Sequence, residues 1–330
     1  MKRKLFLALL LTAAMALSLA CCAGKTPAMT TDPTETAAGT EETTDGTTAA
    51  PTDETTAAPA GFTFTKENYP RMGGSLANKP LGQAVTATVL GVSREEADGM
   101  ISFTGSTTDN YKQLVDGDFD ILLAYEPSEE AKAYIEDKGV PLEMTPIGVD
   151  ALVFICARDN PVDSLTVEQI KDVYTGKTVN WKDLGGRDGE ILAYQRNPDS
   201  GSQTLFDKLL ALGDDLTDPP EGLRIGTMIG LLEAIADYDN SENALGYTVY
   251  YYLTNMEKEK LDTAKILSVD GVAPSNGTIG DGSYPLTNDF YVVLRASAAP
   301  DSPERILYNW ICSAQGRELV ERENYPVRKQ

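Results

Sequence analysis

The chain has 330 residues, with 28 Lys and Arg against 50 Asp and Glu, a formal net charge of −22 at pH 7. This charge excludes a nucleic-acid partner, because nucleic-acid binders need a basic face to displace counterions. The sequence has no histidine, which rules out Ser-His-Asp catalysis and histidine-based zinc sites. We expect no metal and no cofactor. An anion site in so acidic a chain must be built locally, because long-range attraction is absent.

The first 22 residues, MKRKLFLALLLTAAMALSLACC, are typical of a secretory signal. Basic residues precede an apolar run that stops at Cys21 and Cys22. Small residues before a cysteine predict cleavage and lipidation at one of the two, as in bacterial lipoproteins. The alternative is ordinary secretion with two incidental cysteines. We expect an extracytoplasmic protein held at the cell membrane by lipid.

Residues 23–60 are rich in Thr, Ala, Pro and Glu and almost lack large apolar side chains. Such a segment cannot bury enough surface to offset the entropy of ordering, so it predicts a disordered tether. Cys156 and Cys312 are the only thiols after it. They are either buried small hydrophobes or a disulfide, and the sequence leaves both open.

From Gly61 onward, strand-like and helix-like segments alternate. We predict strands at AVTATVLG, FDILLAYEP, ALVFICARD, EILAYQRN, GYTVYYY and FYVVLRAS. We predict helices at SREEADGM, DNYKQLVDGD, PSEEAKAYIEDKG, SLTVEQIKDVYTG (Ser164 as N-cap, Gly176 as stop), QTLFDKLLALG, IGLLEAIADYDN and SPERILYNWICSAQGRELVEREN. The alternation favours an α/β fold with mostly parallel sheets, in which ligands bind where strand ends meet helix N-termini.

The stretch YQRNPDSGSQTLF joins a predicted strand to a predicted helix. Ser200 or Ser202 can cap the helix, and Gly201 lets the backbone approach a ligand closely. Arg196 supplies a planar fork suited to a tetrahedral oxyanion. The alternative is a plain Ser-capped helix in which Arg196 pairs with Asp199.

Two further loops have the same character. YPRMGGSLANKPLG places Ser75, Asn78 and Lys79 before a helix-like or extended segment, and SFTGSTTDNYKQ places Thr107 before another helix. Each could be an ordinary turn or capping run. Three such loops together favour an anion site at helix N-termini.

The loop RNPDSGSQTLF resembles the Arg-x-x-x-Ser-Gly-Ser/Thr loop of the phosphate-binding proteins that feed bacterial phosphate ABC importers. SLTVEQIKDVYTGKTVNWKDLGG resembles the segment that precedes that loop in the family, and ALGYTVYYY and YPLTNDFYVVLR resemble two of its later strands. The similarity spans about Tyr69 to Pro326. It implies a two-lobe type II periplasmic-binding-protein fold with a ligand cleft between the lobes. We place lobe 1 at 61–148 and 250–330, and lobe 2 at 149–249.

The resemblance also implies a ligand set. We expect phosphate to contact Ser75, Asn78, Lys79, Thr107, Glu126, Arg196, Ser200, Gly201 and Ser202. Asn78 and Lys79 stand where the family uses a Thr and a following backbone N–H. The family places a carboxylate, usually Asp, where it accepts the proton of hydrogen phosphate and rejects sulfate; Glu126 is the nearest residue to that position.

We therefore predict a monomeric solute-binding lipoprotein that captures inorganic phosphate and delivers it to ABC permease subunits, and not an enzyme. One alternative is a binding protein for another oxyanion, such as sulfate or a molybdate-like anion. Another is a ligand-free surface or sensing module. A third is carboxylate-only hydrolysis by Asp199 with Glu126 across the cleft.

Overall fold

The computed structural model describes residues 61–236 and 241–329. The predicted signal peptide at 1–22, the tether at 23–60 and the lipidation site at Cys21 or Cys22 lie outside these residues. The strands are β1 Met72–Ser75, β2 Ile101–Thr104, β3 Ile121–Ala124, β4 Leu142–Ala157, β5 Ser164–Leu165, β6 Leu192–Ala193, β7 Gln195–Arg196, β8 Arg224–Ile225, β9 Ala244–Val249, β10 Ala264–Ile266, β11 Ser268–Val269 and β12 Thr287–Arg295. The helices are α1 Lys79–Leu90, α2 Arg94–Asp98, α3 Thr107–Asp116, α4 Glu129–Lys138, α5 Val167–Tyr174, α6 Gly201–Leu210, α7 Met228–Ala236, α8 Asn276–Gly280, α9 Pro303–Cys312 and α10 Ala314–Arg322.

The main sheet runs in the order β2-β1-β3-β12-β4-β9-β6, and β10 pairs with β4. Parallel pairs join β1 to β2 and β3, and β6 to β9. The ladders β5–β11 and β7–β8 are parallel too, whereas β12 and β4 run antiparallel to their neighbours. Parallel pairs outnumber antiparallel ones, so the predicted α/β class with mostly parallel sheets is confirmed.

Strand β4 changes neighbours along its length. Residues 142–151 pair with β12, and residues 152–157 pair with β9 and β10. We call the part around β1–β3 and β12 lobe 1, and the part around β6, β9 and β10 lobe 2. One strand therefore belongs to the sheets of both lobes.

An aromatic cluster fixes α6 on lobe 2. The rings of Phe206 in α6 and Tyr247 in β9 stack at 4.5 Å, and Tyr174 at the end of α5 meets Phe206 edge-on at 4.8 Å. Phe154 of β4 lies 6.0 Å from both tyrosine rings. All four side chains are buried. Packing of α6 against β4, β9 and α5 therefore holds the first turn of this helix in place.

One predicted strand is wrong. The run AVTATVLG lies in α1, which ends at Gly91 with φ +67°. Leu81, Ala84 and Val85 are buried at the i, i+3, i+4 spacing of a helix face. This packing outweighs the strand preference of the Val and Thr residues in the run.

Three predicted boundaries also shift. Ser164 lies in β5, and Thr166 caps α5 through a capping box with Gln169. The strand at GYTVYYY ends at Val249, and Tyr252–Met256 forms a π-helix. The last predicted helix breaks at Ser313, whose hydroxyl caps α10.

Cys156 in β4 is buried, Cys312 at the end of α9 is exposed, and both thiols are free. In the described part of the chain, no helix is long and apolar enough to cross a bilayer.

Candidate functional site

The N-termini of two long helices meet between the lobes. Ser106 caps α3, its hydroxyl accepting a hydrogen bond from the Asp109 N–H at 3.2 Å. Ser200 caps α6 in the same way, accepting from the Gln203 N–H at 3.2 Å. The backbones of Ser106 and Ser200 form an isolated antiparallel β-bridge. Two positive helix ends therefore face one region.

The third predicted loop joins them. Strand β1 ends at Ser75, whose Oγ lies 3.2 Å from Thr107 Oγ1 at the start of α3. Ser75 Oγ also accepts a hydrogen bond from the Tyr125 N–H at 3.4 Å. All three loops line one small cavity, whose lining residues are Ser75, Leu76, Ala77, Thr104, Gly105, Thr107, Tyr125, Gly201, Ser202, Met228 and Val249.

Arg196 in β7 contacts Ser202, which lines this cavity, and is only 2% exposed. Its Nη1 donates to Ser202 Oγ at 3.2 Å. Its Nε donates to the Ile225 carbonyl at 3.0 Å and its Nη2 to the Gly226 carbonyl at 3.2 Å. The Arg196 backbone N–H donates to the Tyr247 hydroxyl at 3.0 Å. These contacts fix the guanidinium beside the first turn of α6.

The charge of Arg196 has no counter-ion in the described part of the chain. Every acceptor found there for its guanidinium is neutral: two carbonyls, the Ser202 hydroxyl and the Asn197 amide oxygen. Burial lowers the pKa of Arg196 to about 10, so it stays protonated at neutral pH. Since a buried charge without a partner is costly, this arrangement favours an anion in the cavity.

Gly201 packs tightly against residues of the opposite lobe. A Cβ atom at Gly201 would lie 2.6 Å from Thr107 Oγ1 and 3.5 Å from a Tyr125 ring carbon. No side chain fits there without displacement. The absence of a Cβ brings the first N–H groups of α6 close to Thr107.

Glu126 does not line the small cavity. Its Oε1 is 2.7 Å from Lys208 Nζ and accepts a hydrogen bond from the Tyr291 hydroxyl at 2.9 Å. Burial raises the pKa of the Glu126 carboxyl, but the contacts with Lys208 and Tyr291 outweigh burial, and its pKa lies below the usual value. Glu126 lines a second, larger cavity together with Asp199 and Lys132. Its carboxylate is ionised and already bound within the protein.

The side chains of Asn78 and Lys79 have different surroundings. Lys79 Nζ forms a partly exposed ion pair with Asp98 at 2.8 Å. Asn78 is fully buried at the start of α1, and neither polar atom of its amide finds a hydrogen-bond partner in the described part of the chain. Neither residue lines the small cavity. The structure thus gathers Ser75, Thr107, Gly201 and Ser202 around one cavity, with Arg196 hydrogen-bonded to Ser202 and Ser200 directly before Gly201 in the chain.

The comparison with known families decides the classification. The model of a PBP superfamily domain matches residues 36–311, which is most of the chain. The chain belongs to this superfamily. The match begins inside the segment 23–60 that the sequence predicts as a tether.

Among curated relatives, the phosphate-binding protein PstS of Bacillus subtilis is 28% identical over 218 residues, covering 64% of this chain and 65% of the relative. PstS of Staphylococcus saprophyticus is 27% identical over 208 residues, covering 61% and 62%. The chain thus spans less than two thirds of these relatives. Their names confirm the resemblance to phosphate-binding proteins.

Solved structures show the fold of this superfamily member. A putative phosphate ABC transporter substrate-binding protein from Clostridium perfringens, solved with bound phosphate, gives a TM-score of 0.63 at 24% identity, over 79% of this chain and 100% of that chain. An ABC-type phosphate transport receptor from Vibrio cholerae gives a TM-score of 0.58 at 18% identity, with the same coverage. The predicted two-lobe fold is confirmed.

Asp150 and Tyr125 are not among the residues that the sequence predicts for the site. Asp150 is fully buried in β4. Its Oδ2 accepts from the Tyr125 hydroxyl at 2.7 Å, and its Oδ1 accepts from the N–H groups of Ala151 and Tyr251 at 2.8 and 3.1 Å. Burial raises the pKa of Asp150 to about 6, although these hydrogen bonds oppose the rise. The available signal was a single acid inside the apolar run GVDALVFIC.

Proposed function

We propose that this protein captures inorganic phosphate between its lobes and delivers it to an ABC permease in the membrane. The observation that carries the proposal is the buried, protonated Arg196, whose acceptors in the described residues are all neutral. A doubly negative anion in the adjacent cavity would supply the missing counter-charge. The PstS relatives support phosphate as that anion.

The proposed ligand shell uses both lobes. The hydroxyls of Thr107 and Ser75 donate hydrogen bonds from lobe 1. Arg196, Ser202 and the N–H groups at Gly201 donate from lobe 2, and the dipoles of α3 and α6 add to the attraction. All of these interactions are non-covalent, so we propose binding without catalysis.

Contacts across the cleft support a closed conformation. Besides the bridge between Ser106 and Ser200, Lys208 of α6 reaches Glu126 at 2.7 Å and Asn288 of β12 at 2.6 Å. We propose 61–148 and 250–330 as lobe 1 and 149–249 as lobe 2, because β4 changes partners near residue 151. Strands β10 and β11 are the exception within 250–330, because they pair with β4 and β5 on the lobe 2 side. Phosphate would favour this closed state to the extent that it binds it more tightly than an open one.

We further propose that the protein acts as a monomer outside the cytoplasm, anchored by lipid at Cys21 or Cys22. The sequence pattern of residues 1–22 supports the anchor. Radiolabelled palmitate incorporation into wild-type protein, compared with a variant that carries Ser at both positions, tests it. Equal labelling of the two proteins would contradict the anchor.

Isothermal titration of ligand-stripped protein with phosphate tests capture. Arg196→Gln should weaken binding by about 100-fold or more, since it removes charge-assisted hydrogen bonds worth about 1.5–3 kcal/mol each. Arg224→Gln is the matched control: Arg224 lies on the neighbouring strand β8 and its partner is the exposed Asp218. Equal affinity of the wild type and Arg196→Gln would refute the site.

Uptake tests delivery. Cells that lack the gene should recover phosphate uptake with the wild-type protein and with Arg224→Gln, and fail to recover it with Arg196→Gln. Full recovery with Arg196→Gln would show that phosphate uptake does not depend on this cavity.

A further inference from the structure

Strand β4 carries a buried carboxylate at the point where it passes from lobe 1 to lobe 2. Asp150 lies opposite Asn288 of β12, and Leu152, two residues later, lies opposite Val249 of β9. Asp150 is fully buried, and the hydrogen-bond donors found for it among the described residues are a phenol and backbone N–H groups. An ionised Asp150 is therefore a buried charge without a counter-ion in the described part of the chain, which is unfavourable.

One aromatic ring connects this carboxylate to the small cavity. The Tyr125 hydroxyl donates to Asp150 Oδ2 at 2.7 Å, and Tyr125 lines the cavity. A Cβ placed at Gly201, which also lines the cavity, would lie 3.5 Å from a carbon of the Tyr125 ring. The charge of Asp150 therefore acts on an anion in the cavity, because buried charges are only weakly screened by salt.

Two buried charges of opposite sign thus lie near the cavity. Arg196 contacts Ser202, which lines the cavity, and Asp150 contacts Tyr125, which lines it too. A bound dianion is attracted by Arg196 and repelled by an ionised Asp150. This repulsion raises the free energy of the ionised carboxylate and favours its protonated form.

The hydrogen bonds of Asp150 leave one oxygen that can take up a proton. Oδ1 accepts from the N–H groups of Ala151 and Tyr251 at 2.8 and 3.1 Å, so it remains an acceptor. A proton on Oδ2 can be donated to the Tyr125 oxygen, because a phenol accepts as well as donates. Burial already raises the pKa of Asp150 to about 6, so a modest further rise changes its charge near neutral pH.

The titratable groups packed around Asp150 are tyrosines. Besides Tyr125 they are Tyr250 and Tyr251, which follow β9, and Tyr325, whose ring stacks on Tyr251 at 3.5 Å. Burial raises the pKa of all four phenols, which therefore stay neutral. Charged side chains that act on Tyr251 or bind Asn288 are Arg94, Glu323 and Lys208. Since the tyrosines stay neutral, a change of charge in this cluster near pH 6 falls on Asp150.

We propose that phosphate capture is coupled to protonation of Asp150: as the anion enters the cavity, a proton from solvent binds Asp150 Oδ2. The inference rests on the proposed function, since it concerns the same cavity. By reciprocity, the protein binds phosphate more tightly when Asp150 is protonated. This gain in affinity begins as pH falls through the raised pKa of the phosphate-bound form, and it is complete below the unliganded value of about 6.

Titration calorimetry measures the proton uptake. The ligand-stripped full chain is titrated with sodium phosphate at pH 6.5 in two buffers whose ionisation enthalpies differ, and the difference in observed heat gives the number of protons bound. If phosphate raises the proton affinity of Asp150 about tenfold, the wild type takes up about half a proton more than Asp150→Asn. Asn keeps the Oδ1 acceptor and cannot ionise, and protons exchanged by phosphate itself cancel in this difference.

Asp289→Asn is the matched control, because Asp289 follows Asn288 on β12 and pairs with Arg328 at 2.9 Å. It should take up as many protons as the wild type. Equal uptake by the wild type and Asp150→Asn overturns the inference and leaves the proposed function intact. Absence of phosphate binding by all of these proteins refutes the proposed function, and the inference with it. Infrared difference spectra of the wild type alone check the same step: phosphate should increase the band of protonated carboxyl, and no increase overturns the inference.

The dissociation constants provide a second readout. At pH 8, Asp150→Asn should bind phosphate about tenfold more tightly than the wild type, because its neutral side chain does not repel the anion. At pH 5 the two affinities should agree, because Asp150 is then protonated. If Asp150 were only a structural residue, the variant would bind more weakly at both pH values, and that result contradicts the coupling.

Discussion

Replacing Gly201 with Ala tests the closed geometry most directly. The added Cβ would lie 2.6 Å from Thr107 Oγ1 in the opposite lobe. Thr107 cannot simply turn away, because it is β-branched, 1% exposed and held by Ser75 at 3.2 Å. To reach a normal contact of about 3.4 Å, the start of α3 must retreat by roughly 0.8 Å.

A shift of this size separates the two groups of donors that face the anion. Loss of one hydrogen bond to a charged ligand costs about 1.5–3 kcal/mol, so phosphate should bind roughly 10- to 150-fold more weakly. The unliganded protein, in contrast, should become more stable. Gly→Ala at a position with helical backbone angles restricts the unfolded chain and stabilises the fold by about 0.4–1 kcal/mol.

Titration calorimetry measures the affinity, and thermal unfolding without ligand measures the stability. Gly105→Ala is the matched control, because Gly105 lines the same cavity but a Cβ there meets nothing within 4 Å. The control should bind like the wild type. Wild-type affinity in Gly201→Ala, or equal losses in both variants, would refute the argument that the lobes meet at Gly201.

Two further predictions concern buried and cross-lobe charges. Lys208→Met removes a partly exposed ion pair with Glu126, so phosphate should dissociate about two- to fivefold faster, as stopped-flow measurement can check; an unchanged rate would exclude a closure role. Asp150 has a folded-state pKa of about 6, above the ordinary value, so its burial favours the protonated form and destabilises the fold increasingly as pH rises from about 4 through 6. As pH rises through this range, the unfolding free energy of Asp150→Asn should therefore increase relative to that of the wild type by roughly 2–3 kcal/mol, as urea titrations can measure. If the difference between the two unfolding free energies stays the same at every pH, Asp150 does not titrate in this range.

The sequence predicts those parts of the fold and site that depend on local patterns. Caps at Ser106 and Ser200 follow directly from hydroxyl residues placed before helices. Strands β3, β12 and the second half of β4 follow from apolar runs of aliphatic and aromatic residues. The loop around Gly201 was predictable because its donors are adjacent in the chain.

Features that depend on distant partners could not be predicted. Strand β1 is MGGS, with poor strand propensity, and it forms because Gly73 and Gly74 fit against Phe119 and the Leu123 carbonyl, which leave no room for a Cβ. Glu126 is diverted by Lys208, 82 residues later in the chain. No local pattern encodes such pairings.

The residues that complete the fold come late in the chain. The Pro326 carbonyl accepts a hydrogen bond from Val149 in the middle of β4, the Tyr325 hydroxyl donates to the Ala77 carbonyl, and the Tyr325 ring stacks on Tyr251. A nascent polypeptide interrupted before this point lacks the piece that joins the first loop to the shared strand. Synthesis of this segment must therefore precede acquisition of a binding-competent shape.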